Sequence, residues 1–317
     1  MRMSHRLQAV VVAAIWGVNF VAIEMGLRDL PPLVLTALRF AVVTVPLVFL
    51  VPRPTARARY VVAYGLILGV LKFGALFTAL ALGMGAGLGS LVLQAQALVS
   101  VLLAALLLRE RPTRRQLAGV LVGSAGIGLI AVAGGGHTTA IGFALTLFAA
   151  ASWAVANVVV RISGETRPLS LLVWSSLVPP LPLLGLAALV DGPDVVRDSV
   201  AGLSWSGLAA LGYVAYVSTL VGFGIWNQLI GHYSLARVAP FSLLVPVFGL
   251  AASWLFLHER MTRGEVLAAL IVLVGLALVV GGTRKPATPP GAELPPAPPR
   301  PWTSRALPGN AYDGSAR

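Results

Sequence analysis

The stretch Arg109-Glu110-Arg111-Pro112-Thr113-Arg114-Arg115-Gln116 returns 149 residues later as His258-Glu259-Arg260-Met261-Thr262-Arg263-Gly264-Glu265. Each copy closes on the S/T-x-x-E/Q pattern of a capping box, whose side chains satisfy free N–H groups at a helix start. An apolar run follows both. Tyr64 and Tyr213 keep the same spacing, whereas Trp16-Gly17 and Trp153-Ala154 lie 137 apart. The longer loop near 191–202 takes up the difference. Working outward from the caps, ten apolar segments emerge, at 7–27, 33–51, 60–82, 86–108, 117–133, 141–160, 170–190, 207–230, 235–257 and 265–281. A helix crosses the hydrocarbon core of a bilayer in about 20 residues. Five crossings per copy is an odd number, so the copies enter the membrane from opposite sides. The expected fold class is an all-α membrane protein with ten transmembrane helices. It is built as two inverted five-helix repeats, 7–133 and 141–282, followed by a tail over 283–317. Inverted repeats usually frame one site that is exposed alternately to each side.

The bulk composition agrees. The chain is 57% hydrophobic and 11% charged over 317 residues, with a mean hydropathy of +0.88. A soluble fold of this size cannot hide so much apolar surface. Cysteine is absent, which excludes disulfides, thiolate chemistry and Cys/His metal sites. His5, His137, His232 and His258 fall in predicted loops or termini. No metal or cofactor is expected. The formal charge of +12 points to lipid headgroups rather than nucleic acid, because the basic residues lie between spans and form no basic-aromatic patch.

With the N-terminus inside, the cytoplasmic segments before the tail carry twelve Lys and Arg, and the outer loops carry four: Arg28, Arg197, Arg260 and Arg263. This asymmetry places both termini in the cytoplasm and the protein in the plasma membrane. The basic start and apolar run to Leu27 read as an uncleaved first span, since Trp16, Asn19 and Glu24 interrupt it and no cleavage site follows. The 35 residues from 283 to 317 include nine prolines and read as a disordered cytoplasmic tail.

Four runs carry a resemblance: Ile15-Trp16-Gly17-Val18-Asn19-Phe20; Leu38-Arg39-Phe40; Ala86-Gly87-Leu88-Gly89-Ser90-Leu91-Val92-Leu93-Gln94-Ala95-Gln96-Ala97; and Arg237-Val238-Ala239-Pro240-Phe241-Ser242-Leu243-Leu244-Val245-Pro246-Val247. They resemble the EamA family of the drug/metabolite transporter superfamily, and within it the O-acetylserine/cysteine exporter branch. The resemblance spans residues 7–282. It implies a ten-helix fold, a central cavity between the repeats and export of amino-acid-like metabolites.

An ionisable group within a span is costly unless it meets water or a partner. Glu24, Arg39 and Lys72 are the three here. Glu24 sits near a span end, four residues before Arg28, as an interfacial pair would. Arg39 is mid-span and keeps its charge at every relevant pH. It either bridges helix ends or binds substrate. Lys72, also mid-span, either snorkels to an interface or enters the cavity, where it would bind a carboxylate or titrate; the cavity is preferred. Glu110 and Glu259 read as interfacial turn residues. Trp16 and Asn19 share a face of the first helix, and Trp153 and Asn157 share one of the sixth. They either line the cavity or join helices. Tyr213, Tyr216, Phe223 and Asn227 fall within an arc of about 80° on an ideal helix, a wall able to hold an ammonium group by cation–π contact, with Trp226 facing lipid. Gln94 and Gln96 are about 200° apart, so one of them faces the cavity, and spacing does not say which. Prolines inside spans, Pro240 and Pro246 among them, mark bends.

The function that fits is export of a small zwitterionic solute by alternating access. Its partners are that solute and the lipid bilayer. A monomer is sufficient, and a homodimer is compatible. Efflux of cationic drugs is the alternative. A membrane-embedded enzyme finds no catalytic set, since the chain has no HExxH, no GxSxG with a histidine partner and no Walker loop. A receptor working through the tail is the remaining class.

Overall fold

The structure is a computed structural model that describes residues 1–107, 109–133, 138–233 and 235–282. The tail expected at 283–317 lies outside the described residues. Residues Met1–Thr283 form one compact unit. Among the described residues the chain is helical, and its β-pairing is one isolated bridge between Met84 and Thr138.

Among the described residues, nine helices are long and apolar enough to cross a membrane: α1 (Met3–Gly26), α3 (Ala58–Ala81), α4 (Ala86–Leu107), α5 (Arg114–Ala133), α6 (Ala140–Ser163), α7 (Pro168–Val190), α8 (Trp205–Trp226), α9 (Ala239–Leu257) and α10 (Arg263–Gly281). α2 (Pro32–Leu47) is apolar but shorter, at 16 residues. It opens on Pro32, whose missing N–H costs nothing at a helix start. It stops one residue after Pro46, four short of the expected 51.

The repeat is visible in the backbone. Among the described residues, Arg109 and His258 are the two non-glycine residues with positive φ, at 54° and 56°. They lie 149 apart, and each follows a helix of its own half, α4 or α9. A left-handed residue there ends a helix at a cost usually avoided by placing glycine. Gly65–Gly74 in α3 and Tyr213–Gly222 in α8 are both π-helical. Both expected capping boxes form. Thr262 accepts from Glu265 N–H at 3.2 Å while Glu265 accepts from Thr262 N–H at 2.7 Å. Thr113 and Gln116 exchange the same bonds at 2.8 and 3.2 Å.

Helix neighbours follow the same symmetry. α1 packs on α9 as α6 packs on α4, and α1 meets α8 as α6 meets α3; α2 pairs with α7, and α5 with α10. The repeats are thus interlocked, each wall mixing helices from both halves. Glycine makes the tightest crossings. A Cβ on Gly17 would lie 2.6 Å from Phe248 Cβ and 2.7 Å from Gly249 N. On the α5–α10 seam, a Cβ on Gly119 would lie 2.6 Å from Gly275 O, and one on Gly126 2.8 Å from Val272 N. Such approaches need a residue without a side chain.

At one end, Glu165 ties the α6–α7 turn to the α2–α3 turn by accepting from Ala56 N–H at 2.7 Å and Thr55 Oγ1 at 2.9 Å, besides Arg167 N–H at 2.8 Å. Its slight burial works to raise the carboxyl's affinity for a proton. The donated hydrogen bonds outweigh this and hold the carboxyl below its usual value.

Candidate functional site

Arg39 of α2 and Lys72 of α3 are 3% and 4% exposed, inside the helical unit. Both lie against the Phe73 ring, with Arg39 Cζ 4.0 Å and Lys72 Nζ 3.1 Å from its centroid. The two charges are therefore separated by no more than those two distances together. Phe40 and Phe77 stack edge-on around Phe73 and lie 5.7 and 5.9 Å from the guanidinium. The faces of these rings are negative, so they relieve part of each cation's desolvation.

Polar partners are scarce. Arg39 Nη2 donates to Thr219 Oγ1 at 3.4 Å, a long bond, while Nε and Nη1 have no partner among the described residues. The Lys72 ammonium makes no hydrogen bond there, and its second ring contact is Trp153, 4.7 Å away. Ion pairs among the described residues are confined to Arg161–Glu110, Arg197–Asp194 and Arg197–Asp198. Two buried basic side chains thus stand close together, and no carboxylate of the described residues is in contact. The expected cavity lysine is mid-bundle, and it meets the tryptophan of the opposite repeat.

The remaining expected residues fall into three groups. Trp16 Nε1 donates to Ser218 O at 3.1 Å, beside the Thr219 that holds Arg39. Its ring also packs on Phe223 at 5.1 Å and on Trp226 at 5.2 Å, so Trp226 turns to Trp16 rather than away. Asn19 is buried, and its Oδ1 is without a partner among the described residues. Other residues join helices. Asn157 donates to Gln96 Oε1 at 3.3 Å between α6 and α4, and Gln94 donates to Ser242 O at 3.3 Å between α4 and α9. Gln94 is the buried member of that pair. The tyrosines separate: Tyr213 donates to Ile15 O at 3.0 Å, and Tyr216, exposed, donates to Val42 O at 3.3 Å. Tyr213 and Tyr216 thus reach different helices, and the π-helical backbone of 213–222 that carries them winds by fewer degrees per residue than the α-helix assumed for the 80° wall. The side chain of Asn227 lies outside the described ones.

Spacing did not single out Thr219 or Ser218. A small hydroxyl residue in an apolar helix carries no pattern of its own, and Ser218 meets Trp16 through its backbone carbonyl, which side-chain spacing does not mark.

The paired carboxylates after α4 and α9 are not equivalent in use. Glu259 accepts from Ala86 N–H at 2.9 Å and Gly87 N–H at 3.0 Å, capping α4 across the repeat boundary. Glu110, at the other end, instead pairs with Arg161. Glu24 is half-buried, near Glu259 and Arg28, and makes no ion pair among the described residues. A small pocket beside Glu259, lined by Gly87, Ser253 and Glu265, includes neither Arg39 nor Lys72.

Interlocked helical repeats around a buried polar centre define a multi-pass membrane protein of the transporter type. The model of the EamA-like transporter family matches residues 4–132 and 140–281, and the chain belongs to that family. A "Probable amino-acid metabolite efflux pump" from Escherichia coli (strain K12) is 42% identical over 283 residues, covering 87% of this chain and 94% of that protein. A "Probable terminal-alkyne amino-acid exporter" from Streptantibioticus cattleyicolor is 28% identical and covers 92% of this chain and 99% of its own length. One solved crystal structure shares the fold, with a TM-score of 0.59 at 22% identity over 88% of this chain and 96% of that one. Membership of that family makes the chain a multi-pass membrane transporter.

Proposed function

We propose that the chain exports amino-acid-like metabolites of the O-acetylserine and cysteine type by alternating access, and that Arg39 and Lys72 receive the substrate carboxylate. The observation that carries this is the pair of buried cations sharing Phe73 without an anionic partner. At a separation of at most about 7 Å and an effective dielectric constant near 20, two unit charges repel by at least about 2 kcal/mol. A carboxylate between them adds two shorter-range attractions that outweigh the one repulsion and gives the orphan guanidinium N–H groups an acceptor. Asn19 Oδ1 is then the natural acceptor for the substrate ammonium, with Trp16 and Trp153 as aromatic walls. In this reading all ten helices cross the membrane, α2 included. The repeats 7–133 and 141–282 are inverted, both termini are cytoplasmic, and one chain suffices. Efflux of cationic drugs is disfavoured, since a drug cation would meet two positive charges.

Uptake into inside-out vesicles of labelled O-acetylserine, cysteine and cationic dyes, with and without a pH gradient, tests the reading. Lys72→Ala is expected to lose uptake of carboxylate substrates while eluting as the native protein on size exclusion. Full uptake by this variant removes Lys72 from the site.

A further inference from the structure

The same centre raises a question about the empty carrier. Arg39 and Lys72 are almost fully buried in the conformation described. Arg39 keeps its charge, and its Nε and Nη1 lack acceptors. A carrier that reorients without substrate must keep at least the Arg39 charge away from bulk water throughout the passage. A buried charge without a counter-charge is strongly disfavoured, and no carboxylate of the described residues touches either cation. The unpaired Arg39 N–H groups, the Lys72 amine and the phenyl edges around Phe73 together resemble a cradle for a compact monovalent anion, while the Thr219 hydroxyl donates to Val214 O.

We propose that this centre binds chloride when substrate is absent, so that the carrier exchanges a carboxylate metabolite moving one way for chloride moving the other. The inference rests on the carboxylate role of Arg39 and Lys72 and goes further, to what occupies them on the return stroke. It fixes the charge balance. Exchange of a zwitterion for chloride moves one net charge per cycle, whereas exchange of a monoanion for chloride moves none.

The test uses the purified full chain in proteoliposomes preloaded with labelled O-acetylserine. Efflux into chloride medium is expected to exceed efflux into a bulky sulfonate medium of equal ionic strength by at least about fivefold, and to respond to membrane potential. In detergent, chloride should raise the thermal midpoint while the sulfonate does not. Both responses should vanish in Lys72→Gln and persist in the charge-retaining Lys72→Arg. Equal efflux in the two media, or a midpoint indifferent to chloride, overturns the exchange.

Counterflow, with O-acetylserine on both sides, separates the two readings. Counterflow that depends on Lys72, with net efflux independent of chloride, sinks the exchange alone. Counterflow undiminished in Lys72→Gln sinks the carboxylate site, and the exchange with it. If no O-acetylserine moves in any medium, the substrate reading fails and the chloride-dependent midpoint still decides the anion site.

Discussion

Gly17→Ala offers a stringent test of the α1–α9 crossing that carries Trp16 and Asn19. The new Cβ would lie 2.6 Å from Phe248 Cβ, 2.7 Å from Gly249 N and 2.8 Å from Val245 O. Two of these neighbours are backbone atoms and the third is a Cβ, so no rotamer change relieves the clash. Carbon atoms pack best at about 3.5–4.0 Å, and α1 must therefore retreat from α9 by roughly 1 Å. Overpacking of this kind costs about 1–3 kcal/mol. Replacing glycine by alanine inside a helix contributes about 0.5–1 kcal/mol in the opposite direction. The net expectation is a loss of about 1–2 kcal/mol, or several degrees in thermal midpoint. Gly128→Ala is the control, because a Cβ there meets nothing within 4 Å and only the helix gain of about 0.5–1 kcal/mol applies. Tryptophan fluorescence during thermal unfolding in one detergent reads both variants. A Gly17→Ala protein as stable as the parent would mean that the helices do not touch there, and the interlocked arrangement would be wrong.

Glu259→Ala strips two charge-assisted hydrogen bonds from the start of α4 and should cost about 1–3 kcal/mol, read as faster hydrogen exchange at the Ala86 and Gly87 amides. Glu110→Ala breaks only an exposed ion pair, worth about 0–1 kcal/mol, and should leave the midpoint nearly unchanged. Thr262→Ala removes the cap of α10 and should lower stability by about 1 kcal/mol. The Glu165 carboxyl is held below its usual value in the folded chain, so its contribution is present above that usual value and fades as pH falls through the depressed one. Glu165→Gln should flatten the acid limb of midpoint against pH below about pH 5, where carboxylates begin to protonate.

The span pattern was readable because lipid enforces it: a helix that must cross hydrocarbon announces itself in about 20 apolar residues. The repeat was readable because Thr113 and Thr262 sit in capping boxes, whose chemistry fixes residue types. Arg39 and Lys72 stood out because charge is rare in such segments. Arrangements set by irregular backbone were not readable. Nothing in Gly65–Gly74 or Tyr213–Gly222 spells a π-helix, so an angle reckoned at 100° per residue grouped Tyr213 with Tyr216 when they reach different helices. The separate uses of Glu110 and Glu259 were hidden too, because their flanking residues match while their partners come from distant helices.

The glycine seam between α5 and α10 bears on motion as well as packing. With Gly119 against the Gly275 carbonyl and Gly126 against the Val272 amide, the two rods mesh like a zip, leaving no slack for sliding or rolling. Since one rod ends each half of the chain, the pair acts as a fixed post. Under the alternating access proposed above, the other helices would swing about it.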